Sequence, residues 1–73
     1  MRNQARREII KQRLKEEIEN SGKSLKEIAE QVGISAVLLT QYRNSRKMPS
    51  IETFSKLCEV LEVDANYILG LID

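Results

Sequence analysis

Residues 24–50, SLKEIAEQVGISAVLLTQYRNSRKMPS, read as two short helices joined by one tight turn, followed by a polar loop carrying two cations. Ser24 precedes Leu25-Lys26-Glu27, so a hydroxyl cap and a glutamate three residues later suit the first amides of a helix. Leu25, Ile28, Ala29 and Val32 follow at helical spacing and form one apolar face. Gly33 comes directly after Val32, where a left-handed backbone ends a helix at no steric cost. Only Ile34 separates that glycine from Ser35, a second capping residue, so a second helix begins almost at once with Leu38, Leu39 and Tyr42. Two helices joined by so short a turn cross steeply rather than lie antiparallel.

Working outward, the pattern stays helical. Helix 1 is predicted from about Asn3 to Asn20, with Ile10, Leu14 and Ile18 on one stripe. Its front is ambiguous, because Met1 to Arg7 has little to bury; residues 1–8 are expected as a flexible segment or an extended start of the helix. Asn20-Ser21-Gly22 ends it with turn chemistry. Asn44 to Pro49 is a loop, Pro49 biases Met48 away from helical geometry, and Ser50 caps helix 4. That helix carries Ile51, Phe54, Leu57, Cys58 and Leu61 at three- and four-residue intervals. Asp64 caps a short helix 5 that takes Tyr67, Ile68 and Leu69 to Gly70. The expected fold is all-α: a compact five-helix arrangement with no strand, and a single domain over residues 1–73. Its core is expected to pool Leu14, Ile18, Ile28, Val32, Leu39, Tyr42, Ile51, Phe54, Leu57, Leu61 and Ile68.

Composition removes whole classes of function. The 73 residues are 41% hydrophobic, with one Phe, two Tyr and no Trp, enough for a small aliphatic core but not for an internal ligand pocket. There is no histidine, the commonest general base and metal ligand. The single cysteine, Cys58, forms no internal disulfide, supports no cysteine-based metal site and fits a reducing compartment. On the buried stripe of helix 4 it reads as a small core residue. No nucleophile–base pair assembles, so no enzyme, cofactor, metal or small-molecule ligand is expected. The basic start lacks the apolar core of a signal peptide and no run approaches membrane-spanning length, so a cytoplasmic protein is expected.

The formal net charge of +1 says little, whereas its distribution says more. In residues 1–15, Arg2, Arg6, Arg7, Lys11, Arg13 and Lys15 stand against Glu8 alone. Residues 16–34 are acidic, residues 35–50 hold Arg43, Arg46 and Lys47 with no acid, and residues 51–73 are acidic again. Alternation of this kind lets a fold gather a basic face, which matters more for approach to DNA than the total. The N-terminal cations read as a solvated helix face, in preference to a second DNA contact or an RNA-binding feature.

These residues resemble the phage repressor/Cro (XRE-type) family of helix-turn-helix domains, over about residues 10 to 70. The likeness rests on Ile28-Ala29, on Val32-Gly33-Ile34-Ser35 at the turn, and on Asn44-Ser45-Arg46-Lys47 with Pro49 in the loop. Leu57, Leu61-Glu62-Val63 and Tyr67-Ile68-Leu69 fit the last two helices. The resemblance implies a transcriptional regulator, a repressor, that sets helix 3 (about 35–44) in the major groove of a palindromic operator as a homodimer. Carried over by position, Ser35, Ala36, Val37, Thr40 and Gln41 would read base edges, with Gln41 able to bond the N7 and N6 of adenine together. Ser24 and the first amides of helix 2 would hold phosphate, as would Asn44, Arg46 and Lys47. Apolar Leu71 and Ile72, beyond the Gly70 stop, are the expected dimer surface, unless the tail folds back onto helix 1 or frays.

The sequence departs from the family pattern in several places. Ala36 and Val37 stand where polar residues are common, Ser45 stands where glycine is common, and Glu17 with Arg43 is a candidate ion pair of reversed polarity. Val37 and Leu38 are expected to face outward, toward thymine methyls or toward protein. The second functional class is therefore a protein-interaction module on the same fold, such as an antitoxin or anti-regulator. No effector domain is expected, so any inducer would act through another chain.

Overall fold

The computed structural model describes residues 3–73; Met1 and Arg2, which open the basic segment, lie outside the described residues. Five helices follow one another: α1 (Asn3–Glu19), α2 (Leu25–Val32), α3 (Ala36–Arg43), α4 (Ile51–Leu61) and α5 (Ala65–Ile68). Among the described residues there is no strand, and no helix is long and apolar enough to cross a membrane.

Each of the last four helices starts on a side chain that accepts an otherwise unpaired amide. Ser24 Oγ accepts from the amide of Glu27 (3.1 Å), Ser35 Oγ from Leu38 (3.0 Å), Ser50 Oγ from Thr53 (3.2 Å) and Asp64 Oδ1 from Asn66 (2.9 Å). The same four helices end alike, on a residue with positive φ whose successor's amide reaches back five residues. Ile34 N–H donates to Ala29 O, Arg46 to Gln41 O, Val63 to Cys58 O and Leu71 to Asn66 O, at 2.9–3.1 Å. The left-handed residues at these four ends are Gly33 and Gly70, and also Ser45 (φ 61°) and Glu62 (φ 56°).

Leu14, Ile18, Ile28, Ala29, Val32, Leu39, Tyr42, Leu57, Cys58 and Ile68 form the buried core, with Ile10, Phe54 and Leu61 half-buried against it. α1 packs on α3 and α5, and α2 on α3 and α4. Burial pushes the Tyr42 phenol up, and burial together with nearby Asp64 does the same to the Cys58 thiol. Ile51 corrects the expected core, because it is 89% exposed. Helical phase places it on the Cys58 side of α4, but phase does not say how far along a helix the core extends. Ile51 is the first residue after the cap and lies past that end.

The candidate Glu17–Arg43 pair does not form among the described residues. The ion pairs there are Glu8–Lys11 (3.9 Å) and Glu52–Lys56 (3.8 Å), while Arg43 Nε donates to Asn44 Oδ1 at 3.3 Å. Exposed pairs of this kind contribute only ~0–1 kcal/mol, so the fold loses little without it.

Candidate nucleic-acid interface

The inner face of α3 is fixed by Leu39, fully buried, and Tyr42, 5% exposed. Leu38 also turns inward and packs, half-buried, on the core. This corrects the expectation of an outward Val37–Leu38 pair: the two are 100° apart on a helix, and Leu38 falls on the Leu39–Tyr42 side. Val37 alone is exposed, at 70%.

With its inner face anchored, α3 presents Ala36, Val37, Thr40 and Gln41 outward. These four line one open groove with Asn44 and Arg46. Thr40 Oγ1 donates to Ala36 O (2.9 Å), which leaves its oxygen lone pairs for an outside donor. Among the described residues no intramolecular partner holds the Gln41 side-chain amide, so both its donor and its acceptor face the groove unengaged there. Ser35 stands at the head of the helix, exposed, with its oxygen engaged in capping. Its base contact is the one that geometry favours least, since the lone pair directed at Leu38 N–H is already used.

The exit from α3 explains why Arg46 belongs to this face. Ser45 N–H donates to Tyr42 O (3.1 Å) and Arg46 N–H to Gln41 O (2.9 Å), so the chain curls back over the last turn. Ser45 provides the left-handed backbone for that reversal where glycine would be unstrained. The departure noticed at Ser45 thus leaves the turn type intact and loads it with strain. Arg46 and Lys47 follow, both exposed, with no acid between residues 35 and 50.

Ser24 is exposed at the start of α2, and its oxygen takes the Glu27 amide. Among the described residues, Glu27 makes no reciprocal bond to the Ser24 amide, so that amide stays free for an anion.

Two N-terminal cations bind the C-terminal segment of the fold. Arg6 Nη1 donates to Leu69 O (3.2 Å), and Arg13 Nη1 donates to Tyr67 O (2.5 Å) and Ile72 O (2.7 Å). The Arg13 guanidinium also lies over the Tyr67 ring, 4.3 Å from its centre. Arg6 and Arg13 therefore depart from the expected solvated face. Their seven-residue spacing, two turns on one side of the helix, was the available signal. The tail folds back onto α1 by its backbone, while the side chains of Leu71 and Ile72 stay 59% and 48% exposed. Lys23 was likewise missed: its Nζ donates to Val60 O near the end of α4 and to Gln31 Oε1, both at 3.1 Å.

A family model described as a helix-turn-helix domain matches residues 11–73. No curated protein and no solved structure matches the chain.

Proposed function

The chain belongs to the family of helix-turn-helix domains, and from that premise we propose that it is a sequence-specific DNA-binding transcriptional regulator, a cytoplasmic repressor of the phage repressor/Cro kind. Residues 1–73 act as one domain that inserts α3 into the major groove. The observation that carries this reading is the shared groove: the outward side chains of α3 and Arg46 line a single concave face, free of acids. Gln41 and Thr40 supply hydrogen bonds to base edges, and Ala36 and Val37 supply thymine-methyl contact. Ser24 with the first α2 amides, Asn44, Arg46 and Lys47 hold the flanking phosphates. Two copies meet through Leu71 and Ile72 and read a palindrome with half-sites about one turn (~34 Å) apart.

The exposed aliphatic Val37 is the one observation that favours the protein-interaction module instead. Selection of bound sites from random duplex DNA, followed by gel shifts across a salt series, separates the two. The DNA reading requires an enriched palindromic motif and an affinity that falls nearly linearly on a log–log plot against salt. No enrichment and a flat salt response would transfer this face to a protein partner.

A further inference from the structure

We infer that α1 contributes a second phosphate-binding site for the DNA backbone, formed where its basic side meets the loop after α3; the inference rests on the DNA-binding reading above. Arg7 and Lys11 of α1 line one cleft with Ser45, Arg46, Lys47 and Met48. Four cations from segments distant in sequence thus converge on a single concavity. No acid is among the described residues that line this cleft, and exposed Glu8 pairs with Lys11 only at 3.9 Å. Arg7 is exposed and Lys11 half-buried, and neither donates a hydrogen bond within the protein among the described residues. They differ in this from Arg6 and Arg13, which the tail occupies.

Arg46 decides the nature of the ligand. It lines both this cleft and the groove of Ala36, Val37, Thr40 and Gln41. A phosphodiester strand gripped by Arg46 at the edge of the major groove therefore continues into the Arg7–Lys11 cleft. The ligand chemistry is successive phosphates of one strand of a duplex, bound as point charges without base selection. Within the basic segment, Arg7 and Lys11 thereby serve DNA, whereas Arg6 and Arg13 serve the tail.

The test uses the full chain with Arg7→Gln and Lys11→Gln together, beside the charge-keeping pair Arg7→Lys and Lys11→Arg. Circular dichroism melts establish that both variants are folded. If each cation neutralises one phosphate, the neutral variant loses about 1.8 from the log–log salt slope per chain. Its affinity deficit against wild type then shrinks about tenfold per chain between 50 and 200 mM salt, because that slope difference acts over a fourfold salt range. The preferred sequence stays the same, and the charge-keeping variant retains the wild-type slope. An unchanged slope and affinity in the neutral variant overturns the second site and leaves the regulator reading intact. Equal loss in both variants also overturns it, by assigning the effect to shape rather than charge. Failure of the wild type to bind any duplex removes the reading on which the site depends.

Discussion

Gln41 and Arg46 sit in one groove but answer to different physics. A glutamine amide bonded to an adenine edge discriminates between bases, so Gln41→Ala should cost ~1–3 kcal/mol at one base pair and relax preference there, as read by binding to a panel of single-substituted sites. A phosphate contact carries no sequence information. Arg46→Ala and Lys47→Ala should each weaken binding to all sequences alike and reduce the salt slope by about 0.9. Uniform weakening by Gln41→Ala would reassign that residue to the backbone. Cys58 makes a residue-scale prediction about stability. Burial and Asp64 hold its thiol protonated to higher pH than in the unfolded chain. The folded state binds that proton more tightly, so its stabilisation is fully present below the unfolded thiol value of about 8.5 and is lost as pH rises through the folded one. Denaturant midpoints measured from pH 7 to 10 should fall over that upper range, and Cys58→Ala should flatten the decline.

At the scale of the helices, the ends were more legible than the loops between them. Ser24, Ser35, Ser50 and Asp64 are cap residues by chemistry, and each accepts an amide of its own helix. Gly33 and Gly70 mark left-handed stops because only glycine adopts that backbone freely. The matching stop at Glu62 could not be read, because nothing in a glutamate announces a positive φ, and Ser45 was marked only by standing where the resembled family commonly has glycine. Both are held there by the returning bonds Arg46 N–H to Gln41 O and Val63 N–H to Cys58 O. Non-glycine residues in this region carry roughly 1–2 kcal/mol of strain, partly offset by the greater unfolded freedom of glycine. Ser45→Gly and Glu62→Gly should therefore each stabilise by about 0.5–1 kcal/mol, and Gly33→Ala should destabilise by about 1 kcal/mol. Space around Gly33 is open, so any loss there comes from φ alone. Chemical denaturation of the three variants checks the set, and a stabilising Gly33→Ala would contradict the account of the turn. The outward placement of Ala36, Val37, Thr40 and Gln41 was legible because helical phase fixes which side of α3 faces out, although Leu38, expected outward, packs on the core. The Arg7–Lys11 cleft and the Arg13 clasp were not, because both join residues distant in sequence.

At the scale of the whole molecule, the proposed function requires a single helix-turn-helix domain to select a rare site. One short recognition helix makes few base contacts, and two copies on a palindrome double them. The tail is built in a way that suits such a pairing. Arg6 and Arg13 clamp its carbonyls to α1, and the clamp leaves Leu71 and Ile72 pointing outward from a fixed backbone. A fixed apolar pair loses less conformational entropy on association than a fraying one. Leu71→Glu with Ile72→Glu should then lower DNA affinity by at least about tenfold and abolish cooperativity. Tenfold corresponds to 1.4 kcal/mol, and burying one leucine-sized side chain supplies ~1.5–3 kcal/mol. The isolated domain should stay folded, because neither residue belongs to the core. Arg13→Gln gives an independent handle: it frees the Ile72 carbonyl and uncovers the Tyr67 ring while leaving both apolar side chains in place. If a fixed tail is what favours pairing, this variant should weaken self-association, read by sedimentation, without changing the base preference read by site selection. A wild-type protein that sediments as a monomer at every concentration and binds one chain per site would sink the dimer.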